Sequence, residues 1–334
     1  MVSRKEEDLE SPYVLIIGSS NMDLNIYSER LPKPGETITG GSFKQSFGGK
    51  GANQAVASAR SGSRTIFMGK IGEDAFGDQM IAQLTKEGID TRHIVRDPEN
   101  ASGIAFILVD KNGENMISVA PGANFKLTPI EVRSKADLIK SASCLIVQME
   151  IPMETIEELF KIASKASVLK ILNPAPLKPI APEILKNIDI IVPNEGELFR
   201  LHSLLKLKEI NELGTEKIAR ASKDITRLGV KIVITTMGKK GCVIHDAKKD
   251  KIVEVPAIKV NAVDTVGAGD CFNGVLASML NKGKSLETAV KYATAAASIK
   301  VTRKGAQDGM PYLNEIEERF KELNEMLNKL GFKK

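Results

Sequence analysis

Short apolar runs rich in β-branched residues alternate, over most of the chain, with segments whose apolar positions recur at helical spacing. The runs at 13–18, 65–72, 144–149, 168–174, 189–194 and 231–238 predict strands, and the segments at 51–60, 73–87, 153–165, 195–206 and 214–228 predict helices. That alternation is the pattern of a doubly wound α/β fold, a mostly parallel sheet with helices on both faces. After Asp264 the pattern turns nearly all helical, and Phe272, Val275, Leu276, Met279 and Leu280 make one apolar stripe. Two stretches, about 25–47 and 100–125, break the rule, because Pro, Gly and Thr punctuate short alternating strands there. They read either as two independent surface hairpins or as a small covering sheet that excludes water from a site.

Composition narrows the classes. The 334 residues, 42% hydrophobic and 27% charged, suffice for one large core with a small appendage, placed at 13–334 after a short solvated tail at 1–12. No apolar run approaches the roughly 20 residues needed to span a bilayer. The first residues, MVSRKEEDLESP, lack the apolar stretch of a secretory signal, so a cytoplasmic location is expected. Cys144, Cys242 and Cys271 form no CxxC pair, and with only 3 histidines neither a disulfide framework nor a zinc cluster is expected. The net charge of +5 is small and interleaved, as in Glu317, Glu318, Lys321 and Glu322, so neither nucleic acid nor a membrane is expected as a partner.

Candidate chemistry collects at strand ends. The stretch 263–270, VDTVGAGD, opens the helix that carries the apolar stripe. Gly267 and Gly269 let backbone N–H groups converge at a helix N-terminus, an arrangement that holds phosphate or developing negative charge. Asp270 in the first turn then has two readings, a general base for an attacking hydroxyl or a plain helix cap. A second glycine loop, FGGKGANQ at 47–54, is not a Walker A loop, since Lys44 and Gly51 occupy positions where that motif needs Gly and Ser or Thr. Its close backbone approach, with Asn53 able to donate and accept, suits a polyhydroxylated ligand, although an ordinary strand-to-helix connection looks the same. Asn21 and Asp23 share one side of an extended segment, as ligand groups or turn formers. Asn194 to Glu197 and Thr236 to Gly241 close two further strands. The first offers carboxylates for magnesium or helix-terminal acids, and the second a glycine turn for a nucleotide.

Together, the stretches FGGKGANQAVASARSG at 47–62, GKIGEDAFGD at 69–78, DTVGAGDCFNG at 264–274 and VTRKGAQ at 301–307 resemble the ribokinase, or PfkB, family of carbohydrate kinases. The resemblance implies a doubly wound domain with a small β lid formed by the two irregular stretches, and a homodimer made through that lid. It implies phosphorylation of D-ribose at O5 by ATP. The alternatives are another acceptor, 2-deoxyribose or a nucleoside, or a sugar-binding protein without catalysis. By the same resemblance Asn21, Met22, Asp23, Gly49, Lys50, Gly51, Ala52, Asn53 and Glu150 would contact sugar, Asp270 would be the base, and Gly267, Ala268 and Gly269 the anion hole. Asn194, Thr236, Met237, Gly238, Lys239, Lys240, Gly241, Gly269, Asp270 and Thr294 would line the ATP site, with Glu197 acting indirectly on Mg2+. Asp264, Val266, Lys300, Arg303, Gly305 and Gly309 match a K+ site held largely by main-chain oxygens, and potassium activation is expected. Gly309 departs from that pattern, having no side-chain oxygen where relatives often carry Ser.

Overall fold

The computed structural model describes residues 11–329, so most of the tail expected at 1–12 lies outside the described residues. In chain order the first half contains β1 (Val14–Ile17), β2 (Asn21–Tyr27), β3 (Ser42–Gly48), α1 (Lys50–Arg60), β4 (Thr65–Met68), β5 (Lys70–Gly72), α2 (Ala75–Lys86), β6 (Val95–Asp97), β7 (Gly103–Val109) and β8 (Asn115–Ala120). The middle adds α3 (Pro129–Arg133), α4 (Ala136–Ser141), β9 (Cys144–Gln148), α5 (Met153–Ala163), β10 (Leu169–Asn173), α6 (Pro182–Leu185), β11 (Ile190–Ile191), α7 (Glu195–Leu204) and α8 (Gly214–Thr226). The chain closes with β12 (Ile232–Thr236), β13 (Cys242–Asp246), β14 (Lys251–Val255), α9 (Ala268–Asn281), α10 (Leu286–Lys300) and α11 (Leu313–Lys329).

Eight strands form the main sheet in the order β14-β13-β12-β11-β10-β9-β1-β4. The six from β4 to β12 run parallel, and β13 and β14 add an antiparallel hairpin at one edge. Period-two alternation explains why the parallel strands are apolar throughout. In β1, Val14 and Ile16 pack with Ala52, Val56 and Val275 on one face, while Leu15 and Ile17 pack with Phe160, Leu201 and Ile225 on the other. The stripe residues Phe272, Val275, Leu276 and Met279 of α9 join the first of these layers, as does partly buried Leu280. Cys144, Cys242 and Cys271 are buried and unpaired. Among the described residues no helix is long and apolar enough to cross a membrane.

Local chemistry sets the boundaries. Asp74 caps α2 by accepting from Gly77 N at 2.8 Å, and Thr128 and Glu131 form a capping box at α3. The run at 65–72 splits into two strands at Gly69, where the backbone lies against the Gly18 carbonyl: β4 stays in the main sheet, whereas β5 pairs with β6 in a separate ribbon. The run at 189–194 yields only the two residues of β11, since Pro193 has no N–H and Asn194 already caps α7. β2 begins at Asn21, before the irregular stretch expected from 25, and a four-stranded sheet of order β3-β2-β7-β8 joins both irregular stretches. The parallel strands direct the ends of β1, β9, β10, β11 and β12 to one edge of the sheet, where the candidate chemistry collects.

Candidate active site

Two helices from opposite ends of the chain build the centre. Gly274 of α9 lies so close to α1 that a β-carbon there would sit 2.3 Å from the Gln54 carbonyl oxygen. This approach lets consecutive α1 amides reach Asp270: Asn53 Nδ2 donates to Oδ2 at 2.9 Å and Gln54 Nε2 to Oδ1 at 3.0 Å. The helix cap is Gly267, at φ 75°, and the Asp270 side chain is committed to α1 instead. Asp270 is 7% exposed, and burial pushes its carboxyl up, against the Lys50 charge and the two amide bonds, which favour the ionised form. Gln54 extends the network, donating also to Asn173 Oδ1 at 3.1 Å and accepting from Gln148 Nε2 at 2.7 Å. Gln54, Gln148 and Asn173 were not singled out from sequence. Gln54 stands inside the quoted GGKGANQ motif, and the other two are polar ends of apolar strands.

Further polar and charged side chains gather beside this carboxylate. Burial, reinforced by the Glu150 and Asp270 charges, pushes Asp23 up to about 7. Lys50 is raised mainly by Asp270, with Glu150 and Glu197 adding to the effect against desolvation. Glu150 is fixed by the Ser19 hydroxyl and by Lys50 N, the latter at 3.1 Å. Asn21 accepts from Asn124 Nδ2 at 2.8 Å. Asn53 Oδ1 is buried with no hydrogen-bonding partner, an acceptor whose satisfaction calls for a donor such as a ligand hydroxyl.

Four residues expected to bind sugar are placed otherwise. The Met22 side chain packs with Leu24, Ile71 and Met80, on the face of β2 opposite Asn21 and Asp23. Ala52 is buried in the core and its N–H donates to the Ser19 carbonyl at 2.9 Å. Gly49, at φ 86°, and Gly51 spend their close approach on the chain after β1. A β-carbon on Gly49 would lie 2.7 Å from Ser20 Cα, and one on Gly51 2.7 Å from the Gly18 carbonyl carbon. The absent side chains therefore allow this loop-to-loop packing.

On the other side of the α9 N-terminus lies a cavity of about 760 Å3, within the size range of small-molecule sites. Thr236, Gly238, Lys239, Lys240, Gly241, Ala268, Gly269 and Thr294 line it, and a β-carbon on Gly269 would meet nothing within 4 Å. Ile258, Lys259 and Val260 are also among the lining and were not anticipated, since 256–262 carries neither periodicity nor a motif, and Phe272 and Val301 line it from within quoted motifs. Met237 is turned toward the core. Asn194 and Glu197 form the capping box of α7, with N···O distances of 2.8 and 2.9 Å, and Asn194 bridges to Thr236. Burial raises the Glu197 carboxyl, opposed by its bond from Asn194 N and by Lys50 and Arg200.

The segment matched to a potassium site is also gathered in one place, but a side chain enters it. Asp264 accepts from Val266 N at 2.9 Å and Gly305 N at 2.8 Å. The Lys300 ammonium donates to the Asp264 carbonyl at 3.0 Å and the Arg303 carbonyl at 3.3 Å, and lies 3.8 Å from Asp264 Oδ2. A fixed positive charge on those oxygens does not fit a potassium ion bound beside it.

The doubly wound domain thus holds a buried carboxylate at a helix N-terminus, between a cluster of polar side chains and a large cavity. The chain belongs to the pfkB family of carbohydrate kinases, whose model matches residues 11–313. It is 40% identical over 300 residues to the ribokinase of Haemophilus influenzae, covering 90% of this chain and 95% of that protein. It is 36% identical over 313 residues to the deoxyribokinase of Salmonella typhi, covering 93% and 99%. The solved structure of Arabidopsis thaliana ribokinase complexed with ribose and ATP superposes with a TM-score of 0.87 at 33% identity, covering 93% of this chain and 99% of that one.

Proposed function

We propose that the protein transfers the γ-phosphoryl group of ATP to the 5-hydroxyl of D-ribose, with Asp270 as general base. The observation that carries this reading is the buried Asp270 carboxylate, held by two amide donors between a cluster of polar side chains and a nucleotide-sized cavity. Asn21, Asp23, Lys50, Asn53 and Glu150 orient the sugar. The hydroxyl proton passes to Asp270 as its oxygen attacks phosphorus in line. The backbone N–H groups at the α9 N-terminus and the Lys50 charge offset negative charge developing on the transferred group. ATP occupies the cavity lined by the 238–241 turn and Thr294, with Lys239, Lys240 and Lys259 toward its phosphates. Magnesium enters as part of the nucleotide substrate, and Glu197 meets it through its water ligands. The four-stranded sheet acts as a cover over the sugar. Potassium has no part in this reading: the activation expected from sequence is withdrawn on the geometry of Lys300.

Ribose is preferred to 2-deoxyribose because identity to the Haemophilus influenzae ribokinase, 40%, exceeds that to the Salmonella typhi deoxyribokinase, 36%. ADP release measured with ribose, 2-deoxyribose, adenosine and inosine tests the choice. Ribose is expected to lead in kcat/KM by about tenfold or more, and a fully hydrogen-bonded 2-hydroxyl raises the lead over 2-deoxyribose toward about 10⁴-fold. A comparable lead for a nucleoside or for deoxyribose would overturn the choice. Ribose binding without ADP release would replace catalysis by a binding function.

A further inference from the structure

Lys300 closes α10 and is 0% exposed, although a buried ammonium is tolerated only when oxygens replace its water. The replacements are the two carbonyls and the carboxylate described above, belonging to Asp264 and Arg303, residues that sequence resemblance assigns to a bound monovalent cation. An ammonium group resembles a desolvated potassium ion in charge and size, and oxygen dipoles satisfy both. Gly309 supplies the complementary half of the arrangement. A β-carbon there would lie 3.2 Å from Lys300 Cε and 2.8 Å from the Gly305 carbonyl oxygen, so the side chain that would offer a cation another oxygen is missing where the lysine stem passes. Lysine at 300 and glycine at 309 are thus sterically matched.

We propose that Lys300 is a tethered replacement for the monovalent cation, and that catalysis in this protein needs no potassium. The ammonium holds the backbone of Asp264 from below, and Asp264 in turn binds Val266 N, one residue before the Gly267 to Gly269 turn. Lys300 is therefore a positioning residue for the anion-binding turn. The inference rests on phosphoryl transfer at that turn.

The test compares the wild type, Lys300→Ala and Lys300→Met in choline chloride and in potassium chloride, by initial rate with the best acceptor and by melting temperature. The wild-type rate is expected to change by less than about twofold between the salts, and its melting temperature to stay constant. Lys300→Ala, which opens the space, is expected to lose about tenfold or more in choline, less than the roughly 10²–10³-fold of a lost anion-site donor because Lys300 acts through Asp264, and to recover with potassium, rubidium or ammonium more than with lithium. Its melting temperature rises with potassium through linkage. Lys300→Met fills the space without charge and recovers with none of them. Stimulation of the wild type by potassium of about tenfold or more, or full activity of Lys300→Ala in choline, would overturn the inference. Should an alanine variant fail to fold, the wild-type salt comparison and the methionine variant still decide. If no acceptor is phosphorylated, the melting comparison still distinguishes loss of this inference from loss of the kinase reading.

Discussion

Asp23, Glu150 and Asp270 place three carboxylates around Lys50, and the electrostatic cost falls visibly on Asp23, which is pushed up to about 7. The sign follows by linkage. With a folded pKa above the unfolded value of 3.8, the folded state binds the extra proton, so this contribution to stability is complete below about 4 and is lost as pH rises through about 7. Thermal melting of the ligand-free protein between pH 5 and 8 is expected to decline less in Asp23→Asn than in the wild type, and an equal decline in both would contradict the assignment. Gln54 is a second test at this scale. Gln54→Leu removes a donor from Asp270 and strands the amides of Gln148 and Asn173, so about 1–3 kcal/mol of stability should be lost, with a fall in kcat of about tenfold and little change in KM. Urea unfolding and steady-state kinetics check both numbers. Asp270 and Asn53 were legible because each stands in a glycine-rich motif. Gln148 and Asn173 were not, because one amide ending an apolar strand carries no signal until the fold brings it to a partner. Alternation along β2 and the turn into α1 send the side chains of Met22 and Ala52 to the core, so only their main chain is left to face a ligand.

Among the elements, the connection from β3 to α1 shows how glycine spacing fixes a site. Gly49→Ala demands a strained φ and places a methyl group 2.7 Å from Ser20 Cα, so a loss of about 1–3 kcal/mol is expected, measured as a lower urea midpoint, together with weaker sugar binding as Lys50 and Asn53 shift. Unchanged stability would mean that the loop tolerates another path. The main parallel strands could be read from sequence because burial on both faces makes their apolar runs continuous. The β13–β14 hairpin was not read, because β14, KIVEV, is a five-residue, mostly exposed edge strand whose adjacent Ile252 and Val253 break the alternation. Nor was the division at Gly69, which depends on a contact with Gly18 rather than on composition.

For the molecule as a whole, the α/β architecture followed from periodicity, and the two irregular stretches proved to share one four-stranded sheet. One face of the sheet leaves Ile26, Phe43, Phe106 and Met116 more than one third exposed. Exposed apolar residues grouped in this way mark an association surface, and we propose that the sheet pairs with that of a second copy. Light scattering is expected to give a dimer for the wild type and a monomer for Phe106→Lys, and a monomeric wild type would remove the proposal. The same fold brings Asn53 to Asp270 across 217 residues of sequence, and the account stands or falls on what that meeting achieves. The direct test is steady-state phosphorylation of ribose by Asp270→Asn, with calorimetric ribose binding alongside. Loss of a general base predicts a fall in kcat of about 10³-fold with ribose affinity held within about threefold. A variant that kept near-normal kcat would contradict the assignment of Asp270 as the base.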